Sequence, residues 1–428
     1  MEAVWDVAAA AAQRVPRINS GDTAWVLGAA ALVMFMTPGL ALFYGGMVRA
    51  KNVLGMLMQN FFCLGLISVI WAALTYSLAF SGDNKWIGNL DLAWLRDAAS
   101  TAPTGFELSI PPLVFMAFQM MFAIITPALI TGAIADRMKF SAWVWFIGLW
   151  AILVYAPIAH WVFSPAGWLF RRGALDFAGG TVVHINAGIA ALAAVFVLGK
   201  RRGWPNHPMP PHALPFTLIG AGILWFGWFG FNAGSALKGD AIAAQALVNT
   251  HMAAAAALLS WLVVERLRTG HATTLGAASG LVAGLVAITP CAGFVGGMAP
   301  IYIGLIAGAV CALAVSIKFK FGFDDSLDVV GVHLVGGLVG SLLLGFFADA
   351  AINPAGTDGV FQGGGFGLFG EQVIAVVATV VWSFVVTFGI VFVLSKVLPG
   401  GIRVSEEDEE TGLDLSQHSE TGYALERV

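Results

Sequence analysis

Two of the eight histidines, His184 and His333, lie near the middle of apolar stretches about long enough to cross a bilayer. Residues 179–188 read GGTVVHINAG and residues 329–337 read VVGVHLVGG. A neutral imidazole is both a hydrogen-bond donor and an acceptor, and it titrates near neutrality. An ionisable side chain at membrane depth is costly, so its presence there marks a substrate or proton pathway with a partner nearby. Each histidine is followed, at its third and fourth positions, by a small residue and a glycine: Ala187 and Gly188, then Gly336 and Gly337. Small residues let membrane helices approach closely, so the spacing predicts that the two imidazoles meet. The plainer alternative is two unrelated histidines, each bonded to a neighbouring helix.

The elements that must carry these residues follow from composition. The chain has 428 residues, 58% hydrophobic and 11% charged, with a mean hydropathy of +0.83. Soluble domains are about 25% charged, so this is an integral membrane protein. Apolar runs at 23–45, 53–81, 111–135, 141–164, 177–199, 213–236, 242–266, 274–292, 298–317, 328–349 and 371–397 predict eleven membrane helices in an all-α polytopic fold. Residues 1–22 precede them and 398–428 follow as a tail. An odd number of spans puts the termini on opposite sides. With the C-terminus inside, the short inner loops hold eleven basic residues, from Arg49 to Lys320, against seven outside. The positive-inside rule then gives N-out, C-in. His184 falls on the fifth span and His333 on the tenth. An offset of five makes the two five-helix halves inverted repeats, which places a site at the midplane where they meet. The eleventh helix lies outside the repeat.

Other features carry less. The net charge of −4 averages a mildly basic membrane part and an acidic tail, since eight of the 25 acidic residues follow Gly400. No basic cluster beyond Lys200, Arg201 and Arg202 suggests nucleic acid. Cys63, Cys291 and Cys311 match no metal site or disulfide framework and are expected as small core residues. No metal or cofactor is expected. The N-terminus has acidic residues where a cleaved signal would be basic. Residues 365–370 fit GxGxxG, but without a strand–helix context they imply no dinucleotide. His251 is expected to make an interhelical contact, and His160 to lie at the outer interface. Asp176 fits an N-cap of the fifth helix, with a proton acceptor as the sharper reading; Asp328 is read the same way before the tenth. The run of acidic residues at 406–410 is, as a charge run alone, a solvated end.

Four segments resemble the ammonium transporter (Amt/Mep/Rh) family, on the bacterial Amt side: 176–186 (DFAGGTVVHIN), 41–49 (ALFYGGMVR), 227–236 (GWFGFNAGSA) and 412–414 (GLD). Landmarks span about 22 to 423, so the resemblance covers nearly the whole chain. It implies eleven helices, N-out and C-in, in the cell membrane, a pore in each subunit of a homotrimer, and no enzymatic activity. It implies that His184 and His333 line the pore and relay protons, that Phe122 and Phe231 form the outer gate, and that Ser235 supplies the hydroxyl of an outer recruitment site. The substrate implied is NH4+/NH3, with methylammonium as an analogue, and the tail is expected to meet a cytoplasmic PII signalling protein. After 159–162 (AHWV) most Amt proteins have a Trp where this chain has Phe163, and 164–168 (SPAGW) is one residue longer. Either Phe163 leaves a weaker cation cage, or Trp161 or Trp168 enters the site.

Three rivals accompany transport. An ammonium sensor would keep the fold without much flux. An electroneutral NH3 channel would pass no net charge. A haem- or quinone-linked membrane oxidoreductase would use His184 and His333 as ligands, but haem pairs need more histidines on facing helices.

Overall fold

The computed structural model describes residues 18–423. It is all-helical; among the described residues the β structure is one isolated bridge, Met138 to Arg403. The helices are α1 (Ser20–Met47), α2 (Ala50–Phe80), α3 (Pro112–Ile134), α4 (Phe140–Arg172), α5 (Gly180–Leu198), α6 (Leu214–Gly234), α7 (Ala241–Thr269), α8 (Thr274–Ile288), α9 (Ala299–Phe321), α10 (Val330–Phe347) and α11 (Gly367–Val397). Ten of these are long and apolar enough to cross a membrane, and α8 is shorter, at 15 residues. The expected eighth span, 274–292, ends early because the chain turns at 289–294, where Phe294 N–H donates to the Cys291 carbonyl at 2.8 Å. Of the expected N-terminal segment, residues 1–17 lie outside the described residues.

Side chains fix several helix ends. Asn19 caps α1 by accepting from Gly21 and Asp22 N–H, and Asp240 caps α7 by accepting from Ile242 and Ala243 N–H. Such caps satisfy backbone donors that the first turn of a helix leaves unpaired. Both histidine-bearing helices open with a π-helical turn, Gly180–Ile185 in α5 and Val330–Leu334 in α10. The wider turn is a feature frequently found at functional sites.

The two halves meet through small residues. A methyl group on Gly188 of α5 would come within 2.5 Å of Leu334 N on α10, and one on Gly337 of α10 within 2.9 Å of Ile185 Cγ1 and 3.1 Å of Ile185 N on α5. Each contact pairs the residue four after one histidine with the residue directly after the other. That reciprocity is what a two-fold relation between inverted halves requires. The α1–α6 pair is packed as closely: a methyl on Gly220 would lie 2.3 Å from Phe43 N, and one on Gly227 would strike Met36.

The tail is folded against the loops beneath the bundle. Two short helices, α12 (Glu406–Thr411) and α13 (Leu413–His418), follow α11. Val404 N–H donates to the Arg137 carbonyl at 3.0 Å, Leu413 N–H to Asn52 Oδ1 at 2.8 Å, and Gly55 N–H to Asp414 Oδ1 at 2.8 Å. Arg202 binds Glu410 at 2.7 Å and Arg403 binds Glu409 at 2.7 Å. Much of the acidic run is therefore paired with basic residues, unlike a freely solvated end. Ser405 and Asp408 form a capping box on α12. Residues 365–366 form the turn into α11 and 367–370 its first turn, with no strand before them.

Candidate functional site

His184 and His333 are in contact. Their Nδ1 atoms are 3.3 Å apart and their ring centroids 5.4 Å, with planes inclined by 19°. Both rings are buried. Trp228 stacks on His184 at 5.4 Å and Phe231 at 6.0 Å. The far side of His333 faces Tyr44, whose oxygen lies 3.5 Å from Nε2, at the edge of hydrogen-bond range, while the Tyr44 hydroxyl donates to the Leu129 carbonyl at 3.2 Å. His184 Nε2 has no partner.

Around the pair lies a narrow apolar cavity walled by residues that include Leu40, Ile125, Leu129, Leu224 and Trp228. Its volume of ≈ 10 Å³ holds about one water-sized molecule. Phe122 and Phe231 close one end, with ring centroids 4.4 Å apart, and Phe118 packs on Phe122 at 4.9 Å. A wider cavity of ≈ 460 Å³ is lined by Phe122, Phe163, Ser235, Gln119, Asp176 and Lys238 among others. Phe122, Phe163 and Ser235 thus share one cavity. The Ser235 hydroxyl donates to the Phe231 carbonyl at 2.8 Å, which leaves its oxygen free to accept. Trp161 and Trp168 line a different space, an apolar groove of ≈ 600 Å³ against α11. Trp161 is fixed there by donating to the Trp86 carbonyl at 2.7 Å. Neither indole lines the cavity that holds Phe163.

Asp176 spends both carboxylate oxygens on the start of α5. Oδ1 accepts from Gly179 N–H at 2.8 Å and Gly180 N–H at 2.6 Å; Oδ2 accepts from Thr181 N–H at 2.8 Å and from the Thr181 hydroxyl. Asp328 does not repeat this geometry. It adopts a left-handed φ of 64° and pairs with Lys318 at 2.7 Å. The carboxylate that caps α10 is Asp325, accepting from Val329 N–H at 3.1 Å and Val330 N–H at 2.7 Å. Burial pushes its carboxyl up to about 6, opposed by Lys318 and reinforced by Asp328. The signal was present in the spacing: Asp325 precedes His333 by the interval at which Asp176 precedes His184. His160 differs from expectation, whereas His251 of α7 makes an interhelical contact, with Trp225 of α6. His160 is fully buried, its nitrogens 2.9 Å from the Ala79 carbonyl and 2.6 Å from that of Asn84. His251 is exposed and stacks on Trp225 at 5.1 Å. Cys63, Cys291 and Cys311 are buried and free.

Comparison with known proteins decides the family. The model of the Ammonium Transporter Family matches residues 24–423. The chain belongs to the ammonium transporter family. It is 50% identical over 433 residues to the ammonium transporter of Mycobacterium tuberculosis (strain ATCC 25618 / H37Rv), covering 95% of this chain and 90% of that protein. It is 49% identical to the ammonium transporter of Bacillus subtilis (strain 168), covering 95% and 99%. Among solved structures, Candida albicans Mep2 superimposes with a TM-score of 0.86 at 34% identity, over 92% of this chain and 88% of that one. A structure titled "Sensor Amt Protein" gives 0.84 at 30% identity, over 93% and 98%. The chain is thus a multi-pass membrane protein of a transporter family.

Proposed function

We propose that this protein transports ammonium by recruiting NH4+ in the vestibule, removing its proton, and conducting NH3 past His184 and His333 with net transfer of charge. The observation that carries the reading is the buried imidazole pair beneath an aromatic seal and an open vestibule. A bare cation in an apolar pore costs many kcal/mol unless paired, so the cation must be held outside and neutralised. Phe122 and Phe163 offer aromatic faces and Ser235 a free lone pair, the groups that bind a cation in place of water.

The hydrogen-bond geometry favours one arrangement of the protons. The Tyr44 hydroxyl is committed to Leu129, so its oxygen is an acceptor for His333 Nε2–H. His333 Nδ1 then accepts from His184 Nδ1–H, and His184 Nε2 is left as a lone pair among apolar walls. That lone pair accepts an N–H from the passing molecule. A proton arriving at Nε2 can leave through Nδ1 to His333, which makes the pair a relay. Asp176, saturated by helix donors, holds the start of α5 instead of moving the proton.

The same reading gives eleven passes through the cell membrane with the N-terminus outside, a homotrimer with one pore per subunit, and a cytoplasmic tail that meets a PII protein. The second reading, an ammonium sensor, draws on the likeness to the protein titled as one. An electroneutral NH3 channel is the third. Current recorded from proteoliposomes on an ammonium pulse separates them: a saturable inward current supports the proposal, flux without current supports the channel, and binding without either supports the sensor.

A further inference from the structure

We propose that Lys238 is a fixed positive charge inside the recruitment vestibule that weakens ammonium binding and sets the half-saturation of transport; this rests on the function proposed above. Lys238 lines the cavity that also holds Phe122, Phe163 and Ser235. It follows Ser235 by three residues, on a turn held in place at both sides. Leu237 N–H donates to the Gly234 carbonyl at 2.9 Å with Leu237 at a left-handed φ of 56°, and Gly239 N–H donates to Asp22 Oδ1 at 3.0 Å. The backbone on either side of Lys238 is therefore held at the cavity wall, and its side chain is exposed.

Among the described residues Lys238 is in none of the ion pairs. The nearby carboxylates keep their charge but accept from other donors, and none is ion-paired with Lys238. Asp240 caps α7 through Ile242 and Ala243 N–H. Asp22 accepts from Gly239 N–H and the Ser109 hydroxyl. Asp176 is saturated by the start of α5. A cavity that holds a cation through exposed aromatic faces and one hydroxyl oxygen binds it weakly. A like charge in the same aqueous space acts over a Debye length of about 10 Å at 0.1 M salt and 3 Å at 1 M, so its opposition is comparable at low salt and vanishes at high salt. Together with the smaller ring of Phe163, Lys238 makes this a low-affinity vestibule.

The test measures half-saturation of the ammonium current for wild type, Lys238→Arg, Lys238→Gln and Lys238→Glu at about 0.05 M and about 1 M ionic strength, the range over which screening changes most. At low ionic strength Lys238→Arg should match wild type. Lys238→Gln should halve the half-saturation concentration at least, and Lys238→Glu should lower it further, with differences collapsing at high salt. Unchanged values, or Gln and Glu variants shifted upward together, would overturn the inference while leaving transport intact. Absence of ammonium flux in wild type would overturn the proposed function and this inference with it.

Discussion

Replacing Gly188 with Ala tests whether the close α5–α10 crossing exists to join the imidazoles. The added methyl would lie 2.5 Å from Leu334 N and 2.7 Å from Leu334 Cα, both backbone atoms that no rotamer change can move. Ordinary contact begins near 3.4 Å, so the helices must part by about 0.9 Å at that point. If half or more of that displacement reaches the histidines, their 3.3 Å contact passes beyond 3.5 Å, the limit of a hydrogen bond. A hydrogen bond of this kind contributes about 0.5–1.5 kcal/mol, which corresponds to about a two- to tenfold loss of rate. Maximal ammonium current in proteoliposomes should fall by that factor. Half-saturation should hold, because the vestibule is untouched. Gly337→Ala should be milder, since the nearest atom there is Ile185 Cγ1 at 2.9 Å, part of a side chain that can rotate. A Gly188→Ala protein with intact helix content and wild-type maximal current would refute the reasoning.

Phe163→Trp should lower the half-saturation concentration for ammonium about two- to fivefold, because indole offers a stronger face to a cation by up to about 1 kcal/mol; an unchanged value means the cation does not sit on residue 163. Docking of the tail should weaken as pH falls. Burial lowers the His418 pKa against the pull of Asp414 and Glu420, so the undocked tail binds the proton better and docking is lost as pH drops through about 6.5. Protease cleavage after the last helix should therefore speed up between pH 7.5 and 5.5 in wild type, and His418→Gln should flatten that dependence. Truncation at Arg403 should leave the membrane helices folded and abolish capture by an immobilised PII protein; retained capture would assign recognition to a loop such as 200–212.

The legible parts of the chain were those written in short, repeated patterns. The two histidines with glycines four residues on fixed the helix pair, the offset of five spans and the crossing, because a close helix approach needs a missing side chain at a definite turn. Span lengths came from hydropathy, except α8, where the chain turns at 289–294 after 15 residues. The vestibule was harder to read. Phe122 and Phe163 look like any of 31 phenylalanines, and their convergence depends on α3 and α4 meeting in space. Lys238 gave no periodic signal, since the turn that carries it is held by a hydrogen bond from Gly239 N–H to Asp22, more than 200 positions away. Asp328 stands closest to the tenth helix in sequence, yet the cap is Asp325, at the same distance from its histidine as Asp176. The acidic tail showed its charge in sequence and its fold only through partners at Asn52, Gly55 and Arg202.

The central claim is that the proton taken from ammonium outside the aromatic seal crosses by way of His184 and His333 while NH3 passes beside them. Ammonium-evoked current recorded side by side from wild type and the His184→Ala, His333→Ala double variant, with methylammonium and K+ as alternative cations, tests it most directly. The account predicts a saturable current for ammonium and methylammonium in wild type, none for K+, and loss of the current in the double variant despite correct folding. Wild-type current and selectivity in the double variant would contradict it.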